Sequence, residues 1–495
     1  MRKKLLAGVM ALALCSTNMP PQTIFAGEFT SGNLEEVTEE TPEIFSDDNQ
    51  EVIEETEEEL SVFSSENVPE FSSEVNIMSA TADETEPIGI DMNDITNLNY
   101  YDSSKGIWKI TSAGSYRFNG TGNNDAPILI DHIDSGTVKV YLNNVNIHSA
   151  DRTPPLRITN TVHADVYIYL ESSNLLQSTY INSAALQIDG TTKLIIDNSP
   201  GTNGSLTANS SKHGTGIGSS GNSDLSPAFH IIIKGGAVTA SSFRSMGIGG
   251  NNSNITIKGG LVKVSSDQWC AIGGTKSNIT IDGGSVKASS RTHFGIKSSS
   301  LTINGGSVTA SSEEEPKEDI SSNQIIINGG SVKASSVSSS PTNDHGEKVY
   351  CCTIENLNSK KVIIDQNLKP WEPNNHQAVN PTDTNLYAWL TGEDHIVNVG
   401  TERRSYIFDS EDSESGTFSN TKRNATSDIF EFKGPRNFIY NGSSQTPSIT
   451  VNDTIKGVVN FTVKYFKEND STTEITEPKD VGTYIVKIDV NGGDF

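Results

Sequence analysis

Two aromatic and two basic side chains recur in this chain of 495 residues at one fixed spacing. Trp269 and His293 are 24 residues apart, as are Lys263 and Lys287, and Thr280 lies among them in the sequence. Exposed aromatic rings offer a stacking surface at low conformational cost, and hydroxyl and ammonium groups donate hydrogen bonds to oxygen-rich ligands. These five residues are therefore candidates for sugar binding. The alternative is that Trp269 and His293 are isolated exposed rings at a corner of a repetitive fold.

An acidic segment at residues 313–319 is the second place where chemistry is conceivable. Carboxylate oxygens are the ligands that calcium prefers, and Glu314, Glu318 and Asp319 supply them. We therefore consider these three residues candidate calcium ligands. The segment has no fixed ligand spacing, so a solvated corner loop is the alternative.

Catalysis on sugars needs acids in a defined arrangement. Glycoside hydrolases use two carboxylates about 5–10 Å apart, and lyases need clustered carboxylates for calcium with an Arg or Lys base nearby. One outward column of the repeats contains a single acid, Asp282, and Asp267 aligns with Arg291 as a surface ion pair. We predict that the protein is not an enzyme. A lyase or hydrolase remains the alternative if acids before residue 230 converge on an arginine.

The elements that position these residues come from a sequence motif, the Gly-Gly motif, which occurs five times between residues 231 and 336. Most copies read Ile-x-Ile-x-Gly-Gly-x-Val-x-Ala. The first glycines of the copies are 24, 24, 22 and 24 residues apart, a period typical of solenoid proteins. These glycines are Gly235, Gly259, Gly283, Gly305 and Gly329.

Each copy alternates apolar and polar residues, which is the period of a half-buried strand. Stacked copies bring the apolar residues into files that form a continuous core, and each glycine pair turns a corner. A third apolar file, Ile248, Ile272 and Ile296, adds a third strand to each coil. The sequence predicts an all-β fold, a right-handed parallel β-helix with three strands per coil and about nine coils. Residues 107–118 are its predicted cap, and Val362–Ile364 its predicted last strand.

Composition divides the chain into five predicted parts. Residues 1–26 resemble a signal peptide, because basic residues precede an apolar run. Residues 27–88 form a disordered acidic linker, 89–365 the β-helix, 366–427 an irregular β bridge, and 428–495 a small Ig-like β-sandwich without an evident closing strand. The formal net charge of −26 argues against nucleic acid or an anionic membrane as partner.

The remaining aromatic and thiol side chains have structural interpretations. Cys270 is predicted to pack in the core, in one inward column with Phe294. Trp371 and Trp389 are predicted to pack against the last coil, whereas the roles of Cys351 and Cys352 stay open.

Two parts of the chain resemble known families. Residues 95–365 resemble the secreted bacterial carbohydrate-binding β-helix family, through Gly114-Ser-Tyr116, the strand Leu142-Asn-Asn-Val-Asn-Ile147 and the Gly-Gly coils. This resemblance implies a pectate-lyase-like fold, polysaccharide binding without catalysis, and bound calcium. Residues 428–495 resemble the bacterial Ig-like module of Gram-positive surface proteins, through Tyr440-Asn-Gly442 and Asp480-Val-Gly-Thr-Tyr484.

Together these observations predict a secreted or cell-surface protein whose β-helix binds plant cell-wall or host glycans. The predicted partner is an extracellular polysaccharide, and the predicted cofactor is calcium. The chain is expected to be a monomer with no membrane insertion, since no segment after the apolar N-terminal run is apolar enough to cross a bilayer. An adhesin or structural stalk is the alternative from a different functional class.

Overall fold

The structure is a computed structural model that divides into two compact units. The larger unit takes in residues 85–429, 451–461 and 490–495, and the smaller takes in 1–84, 430–450 and 462–489. The structure describes residues 86–120, 126–220, 228–314, 318–355, 357, 360–365, 384–410, 415–420, 425–433, 437–452 and 458–493, and the backbone alone of Gln22–Gly32. Within these ranges every element is a β-strand except the 3-10 turn Ser427–Ile429.

The larger unit is a parallel β-solenoid with three faces, which we name A, B and C. Face A consists of Ile88–Asp91, Gly114–Asn119, Thr137–Asn143, Asp165–Leu170, Lys193–Asn198, Phe229–Ile233, Ser253–Ile257, Asn278–Ile281 and the second halves of Ile296–Ile303 and Ile320–Ile327. Face B consists of Asn146–Ser149, Ser173–Ser178, Ser205–Ser210, Ala237–Ser242, Leu261–Ser266, Ser285–Ser290, Ser307–Ser312 and Ser331–Lys333. Face C consists of Ile107–Ile110, Ile128–Ile130, Leu156–Ile158, Leu186–Ile188, Ile217–Gly218, Ile248–Gly249, Ile272–Gly273 and the first halves of Ile296–Ile303 and Ile320–Ile327.

The predicted parallel coil of three strands is confirmed, with about 10 coils in the described residues rather than nine. Ile107–Ile110 and Gly114–Asn119, predicted as a cap, stack in parallel register on the following coils, and Ile88–Asp91 precedes them on Face A. Tyr101–Asp102 pairs antiparallel with the first Face C strand. Val362–Ile364 is not a coil strand, because it pairs antiparallel with His395–Val399.

The Gly-Gly pairs turn the chain from Face A to Face B, as predicted. Gly260 has a φ of +83°, and a Cβ there would lie 2.5 Å from the carbonyl oxygen of Gly236, one coil earlier. The corner therefore needs glycine both for its left-handed conformation and for the close approach of neighbouring coils. The second glycines of the other pairs share this positive φ: Gly236, Gly284, Gly306 and Gly330.

The interior is one apolar cluster that runs through the solenoid, as the aligned files predict. Ile248, Ile272 and Ile296 are fully buried and lie in register on Face C. Cys270 is also fully buried, as predicted, and burial raises the pKa of its thiol to about 12. Phe294 was expected in the same inward column, but it is only half-buried, and the Nζ of Lys297 lies 4.3 Å from its ring centroid.

Buried serines hold the corner that leads from Face B to Face C. The Ser266 hydroxyl accepts the backbone N–H of Trp269 at 3.0 Å and donates to the carbonyl of Ser245 at 2.6 Å. One coil later, Ser290 accepts the N–H of His293 at 2.9 Å and donates to the carbonyl of Trp269 at 2.6 Å. Ser266 and Ser290 are each the second residue of a serine pair that ends a Face B strand, and each is buried. These bonds fix the backbone at Trp269 and His293.

Antiparallel strands follow the last coil. Val349–Ile354 pairs with Leu386–Thr391, and a second sheet contains Val362–Ile364, His395–Val399, Glu402–Ser410 and Gly416–Asn420. The described residues of 366–427, the region predicted as an irregular β bridge, include Leu386–Thr391, His395–Val399, Glu402–Ser410 and Gly416–Asn420. Trp389 donates its indole N–H to the carbonyl of Val332 at 3.0 Å, which confirms its packing on the last coil. Trp371 lies outside the described residues.

All three cysteines in the described part of the chain are free. Cys351 is exposed and Cys352 is buried in the strand Val349–Ile354. Burial raises the pKa of the Cys352 thiol to about 12. The Cys352 thiol is therefore protonated at neutral pH, whereas the thiolate is the reactive form.

A five-stranded sheet contains Asn437–Ile439, Gln22–Gly32, Gly482–Gly493, Val459–Lys467 and Asp470–Ile475, in that order, and Phe430–Lys433 pairs with Ser448–Val451. Tyr484 and Val486 are buried at the centre of an apolar cluster. The Tyr484 hydroxyl donates to the carbonyl of Asp480 at 2.7 Å. The Ig-like assignment of residues 428–495 stays a prediction.

The predicted signal peptide and acidic linker lie outside the described residues, apart from the first residues of the larger unit and the backbone of Gln22–Gly32. The part of the chain that the structure describes contains no helix with the length and hydropathy of a membrane span.

Candidate functional site

Three tyrosines form an aromatic platform on the outer side of Face A, which we call the tyrosine face: Tyr141, Tyr167 and Tyr169. Tyr141 and Tyr169 are direct neighbours on adjacent coils, and their rings stack with centroids 4.9 Å apart and planes 20° apart. Tyr167 and Tyr169 lie two residues apart on one strand, and their rings are 6.0 Å and 15° apart. Alternation places all three outside because Val166, Ile168 and Leu170 fill the core.

Cations surround the tyrosine face. The guanidinium of Arg117 lies 5.4 Å from the ring centroid of Tyr141, and the ammonium of Lys234 lies 5.7 Å from that of Tyr167. Glu171 fixes Arg117, which donates to its carboxylate through Nε and Nη2 at 3.0–3.2 Å. A bidentate pair of this kind orients the guanidinium as well as neutralising it.

The tyrosine rings are coupled to each other and partly desolvated. Burial raises the pKa of the Tyr169 hydroxyl, and the nearby Tyr141, Tyr167 and Asp197 raise it further, whereas Lys139 opposes the change. The Tyr169 hydroxyl is therefore protonated at neutral pH and can donate a hydrogen bond. Each of the three residues is half-buried, so part of each side chain stays accessible to solvent. A rigid, amphipathic cluster of stacked rings of this kind suits the apolar parts and hydroxyls of sugars.

The predicted aromatic pair also comes together. The rings of Trp269 and His293 are 4.7 Å apart and tilted by 31°, at the corner between Faces B and C. Both are half-buried. The indole Nε1 of Trp269 is buried, so this side chain offers its ring rather than its N–H to a ligand. The predicted ion pair beside them is present, with Arg291 Nη2 at 2.9 Å from Asp267 Oδ2.

The other predicted ligand-binding residues lie on two different faces. Lys263 and Lys287 are exposed neighbours in register on Face B, in a ladder that continues to Thr309 and Lys333. Thr280 is half-buried on Face A. The structure therefore joins the two lysines and joins the two rings, but it places Thr280 on a separate face.

The three candidate calcium ligands do not share a common point. Asp319 is buried, and its two oxygens accept the backbone N–H groups of Ser312 at 2.6 Å and Ser335 at 2.5 Å. Glu314 is exposed and Glu318 is half-buried. Across the described ranges no group of three or more acidic, His or Cys side chains could hold a metal ion. Calcium binding at this segment stays a prediction.

Acids before residue 230 form ion pairs with arginine and lysine side chains, as Glu171 does with Arg117. Arg157 Nε lies 2.6 Å from Asp189 Oδ2, and Lys109 Nζ lies 3.3 Å from Asp131 Oδ2. Burial would raise the pKa of Asp131, but hydrogen bonds from Thr159 and other neighbours hold it far below its usual range. Such a carboxyl cannot be a general acid at neutral pH, since that role needs a raised pKa.

Comparison with known proteins picks out the same part of the solenoid as the tyrosine face. Residues 104–192 match the model of a family described as carbohydrate-binding domain-containing protein. This segment holds all three tyrosines, Arg117 and Glu171. No curated protein and no solved structure matches the chain significantly. A carbohydrate-binding role is thus supported by a match that covers the early coils, where the tyrosines lie.

Sequence reasoning missed the tyrosine face although its signal was visible. The strands Val138–Leu142 and Val166–Leu170 alternate strictly, which assigns each tyrosine to the outer side. Attention to the regular Gly-Gly copies favoured Trp269 and His293 instead. The pairing of Tyr141 with Tyr169 also depends on register between coils of unequal length.

Proposed function

We propose that this protein is a secreted, non-catalytic polysaccharide-binding protein and that the tyrosine face is its principal binding surface. The observation that carries the proposal is the coincidence of Tyr141, Tyr167 and Tyr169 with the segment that matches a carbohydrate-binding domain. Secretion is supported by the basic and then apolar N-terminal sequence.

The tyrosine face has the right energetics for a chain of sugars. One sugar stacked on one ring covers about a third of the roughly 150–250 Å² that an aromatic side chain can bury, on the order of 60 Å². At about 25 cal/mol per Å², this contact contributes roughly 1.5 kcal/mol, or about tenfold in affinity. Because Tyr141 and Tyr169 lie on successive coils, neighbouring sugars can use both.

The absence of catalysis in this proposal is supported by the ion pairs of the early coils. Glu171, Asp189 and Asp131 are each engaged by a cation. An acid held in this way is a weak proton donor and a poorly accessible base. The Trp269–His293 pair and the Face B lysines are proposed as a secondary contact surface.

The test is co-sedimentation with insoluble cellulose and cross-linked pectin. The variant Tyr141→Ala/Tyr169→Ala should bind at least tenfold more weakly than the unmodified protein. Trp269→Ala/His293→Ala should have a smaller effect. Tyr180→Ala is the matched control, because Tyr180 is a half-buried tyrosine on the other side of the same coil and bonds to Arg152.

Circular dichroism and thermal melting of each variant establish that the solenoid is intact. Equal retention of the tyrosine double variant and the Tyr180 control would reject the tyrosine face. Release of unsaturated or reducing products from either polymer would reject the non-catalytic part of the proposal.

A further inference from the structure

The end of Face B forms a pocket that is separate from the tyrosine face. Its floor is the outer side of the last two strands of Face B, where Ser307 lies beside Ser331 and Thr309 beside Lys333. Its wall is formed by Thr384, Asn385 and Tyr387. The cavity between them is about 220 Å³. This is smaller than the roughly 300–1,000 Å³ of sites for drug-sized ligands, so it suits one small unit rather than a length of chain.

The wall is anchored rigidly to the last coil. The backbone N–H of Tyr387 donates to the Ser331 hydroxyl at 3.1 Å, and the Trp389 indole donates to the Val332 carbonyl at 3.0 Å. The two bonds come from alternate residues of one strand, Leu386–Thr391. The pocket is therefore preformed, which lowers the entropic cost of binding.

The lining has a distinct chemistry. The cavity is lined by hydroxyls, one amide, one phenol ring and the ammonium of Lys333. This ammonium lies 5.3 Å from the ring centroid of Tyr387. No acid is among the described residues that line the cavity. A ligand that combines a sugar ring, for the phenol and hydroxyls, with a negative charge, for the ammonium, satisfies this lining.

The position of the wall limits how a polysaccharide can lie on Face B. The ladder of Lys263, Lys287, Thr309 and Lys333 runs along the solenoid axis, one step of about 4.8 Å per coil. A glycan aligned with this ladder meets Tyr387 at the last coil and cannot continue. Only the end of a chain can enter the pocket in this direction.

We propose that this pocket binds the terminal residue of a glycan chain that carries an anionic substituent on that residue, with Lys333 as the charge partner and Tyr387 as the stacking wall. The inference rests on the proposed function, because it assumes that the solenoid binds glycans. It adds a site that recognises chain ends to a face that recognises chain interiors.

The test uses trisaccharides and calorimetry, in the Tyr141→Ala/Tyr169→Ala background so that the tyrosine face does not contribute. The probes are trigalacturonate, a sulfated galactan trisaccharide and neutral cellotriose. At least one anionic trisaccharide should bind with one site per protein, and cellotriose should bind at least tenfold more weakly. Lys333→Gln should lower the affinity for the anionic probe about tenfold, since it removes the charge partner of the anionic group.

Two variants keep the result interpretable. Lys333→Arg should retain most of the affinity, and Lys258→Gln, which removes an exposed ammonium elsewhere, should change it less than twofold. Chain-end recognition is measured directly by cutting the anionic polymer into shorter pieces at constant mass. Bound protein should then rise in proportion to the number of chains.

The outcomes separate this inference from the proposed function. Binding that follows polymer mass rather than chain number, or that is unaffected by Lys333→Gln, overturns the chain-end site. So does a failure of every anionic trisaccharide to bind the double variant, even when the unmodified protein still sediments with polymer. If the unmodified protein fails to sediment with polymer while trisaccharide binding at Lys333 is intact, the tyrosine face alone is rejected.

Discussion

Asp319 is expected to act as a clip between the last coils, and replacing it should destabilise this end of the solenoid. Its buried carboxylate accepts the backbone N–H groups of Ser312, the last residue of one Face B strand, and of Ser335, which follows the next strand. A hydrogen bond to a charged group contributes about 1.5–3 kcal/mol. Asp319→Ala removes two such bonds and leaves two donors unpaired, so the expected loss of unfolding free energy is about 3–6 kcal/mol. Asp319→Asn, which keeps one acceptor oxygen, should lose about half of this.

The assay is urea unfolding followed by fluorescence, together with hydrogen exchange at Ser312 and Ser335. Exchange is a local probe, which matters because neighbouring coils of a solenoid can open separately. Glu314→Ala and Glu318→Ala are the controls, since they alter the same acidic segment without removing the clip. Both should stay within about 0.5 kcal/mol of the unmodified protein.

Two results would refute the clip. One is a loss below about 1 kcal/mol for Asp319→Ala with unchanged exchange at both serines. The other is an effect of calcium on unfolding. The urea midpoint of the unmodified protein would rise with calcium and fall with chelator, whereas the midpoints of Asp319→Ala and Glu318→Ala would not change. That second result would establish the acidic segment as a calcium site.

Two further predictions concern stability. Gly260→Ala should lower the free energy of unfolding by about 3 kcal/mol or more, because it adds a side chain at φ +83° and 2.5 Å from a carbonyl. Gly346→Ala, at φ +78° with open space around it, should lower it by only about 1–2 kcal/mol. Equal losses in thermal unfolding would contradict the packing argument. The pKa of Asp131 in the folded state lies below its unfolded value of about 3.9, despite burial, because Thr159 and Thr161 donate hydrogen bonds to it. The ionised carboxylate therefore stabilises the fold above about pH 3.9, and this contribution disappears as the pH falls toward the folded pKa. Asp131→Asn should therefore be less stable than the unmodified protein at pH 7, and a gap that stays constant down to about pH 2 would contradict the assignment.

The regular part of the fold could be predicted because each coil repeats the same physical problem. The Gly-Gly corner, the three apolar files and the burial of Cys270 all follow from alternation and a period of 24 residues. The first coils were harder to recognise. Gly114–Asn119 looks like a free strand in the sequence, and only its register with Thr137–Asn143 shows that it belongs to the solenoid.

The candidate site was predicted only in part, and for the same reason. Trp269 and His293 meet because their coils have equal length, so sequence spacing equals spatial register. Tyr141 and Tyr169 meet across coils whose insertions differ, and strand pairing rather than residue count sets their contact. The end pocket was not visible at all, because Tyr387 comes from an antiparallel strand that sequence analysis assigned to an irregular bridge.

The stacking of near-identical coils has a consequence for how such a protein can change. Each coil contacts mainly its two neighbours, so a whole copy of the Gly-Gly motif can be added or removed without changing the packing of the other coils. On Face B each added copy would place another hydroxyl or ammonium side chain between Lys263 and the wall at Tyr387. Copy number therefore sets how many outward side chains lie in register between Lys263 and the wall, and with it the length of the polar ladder.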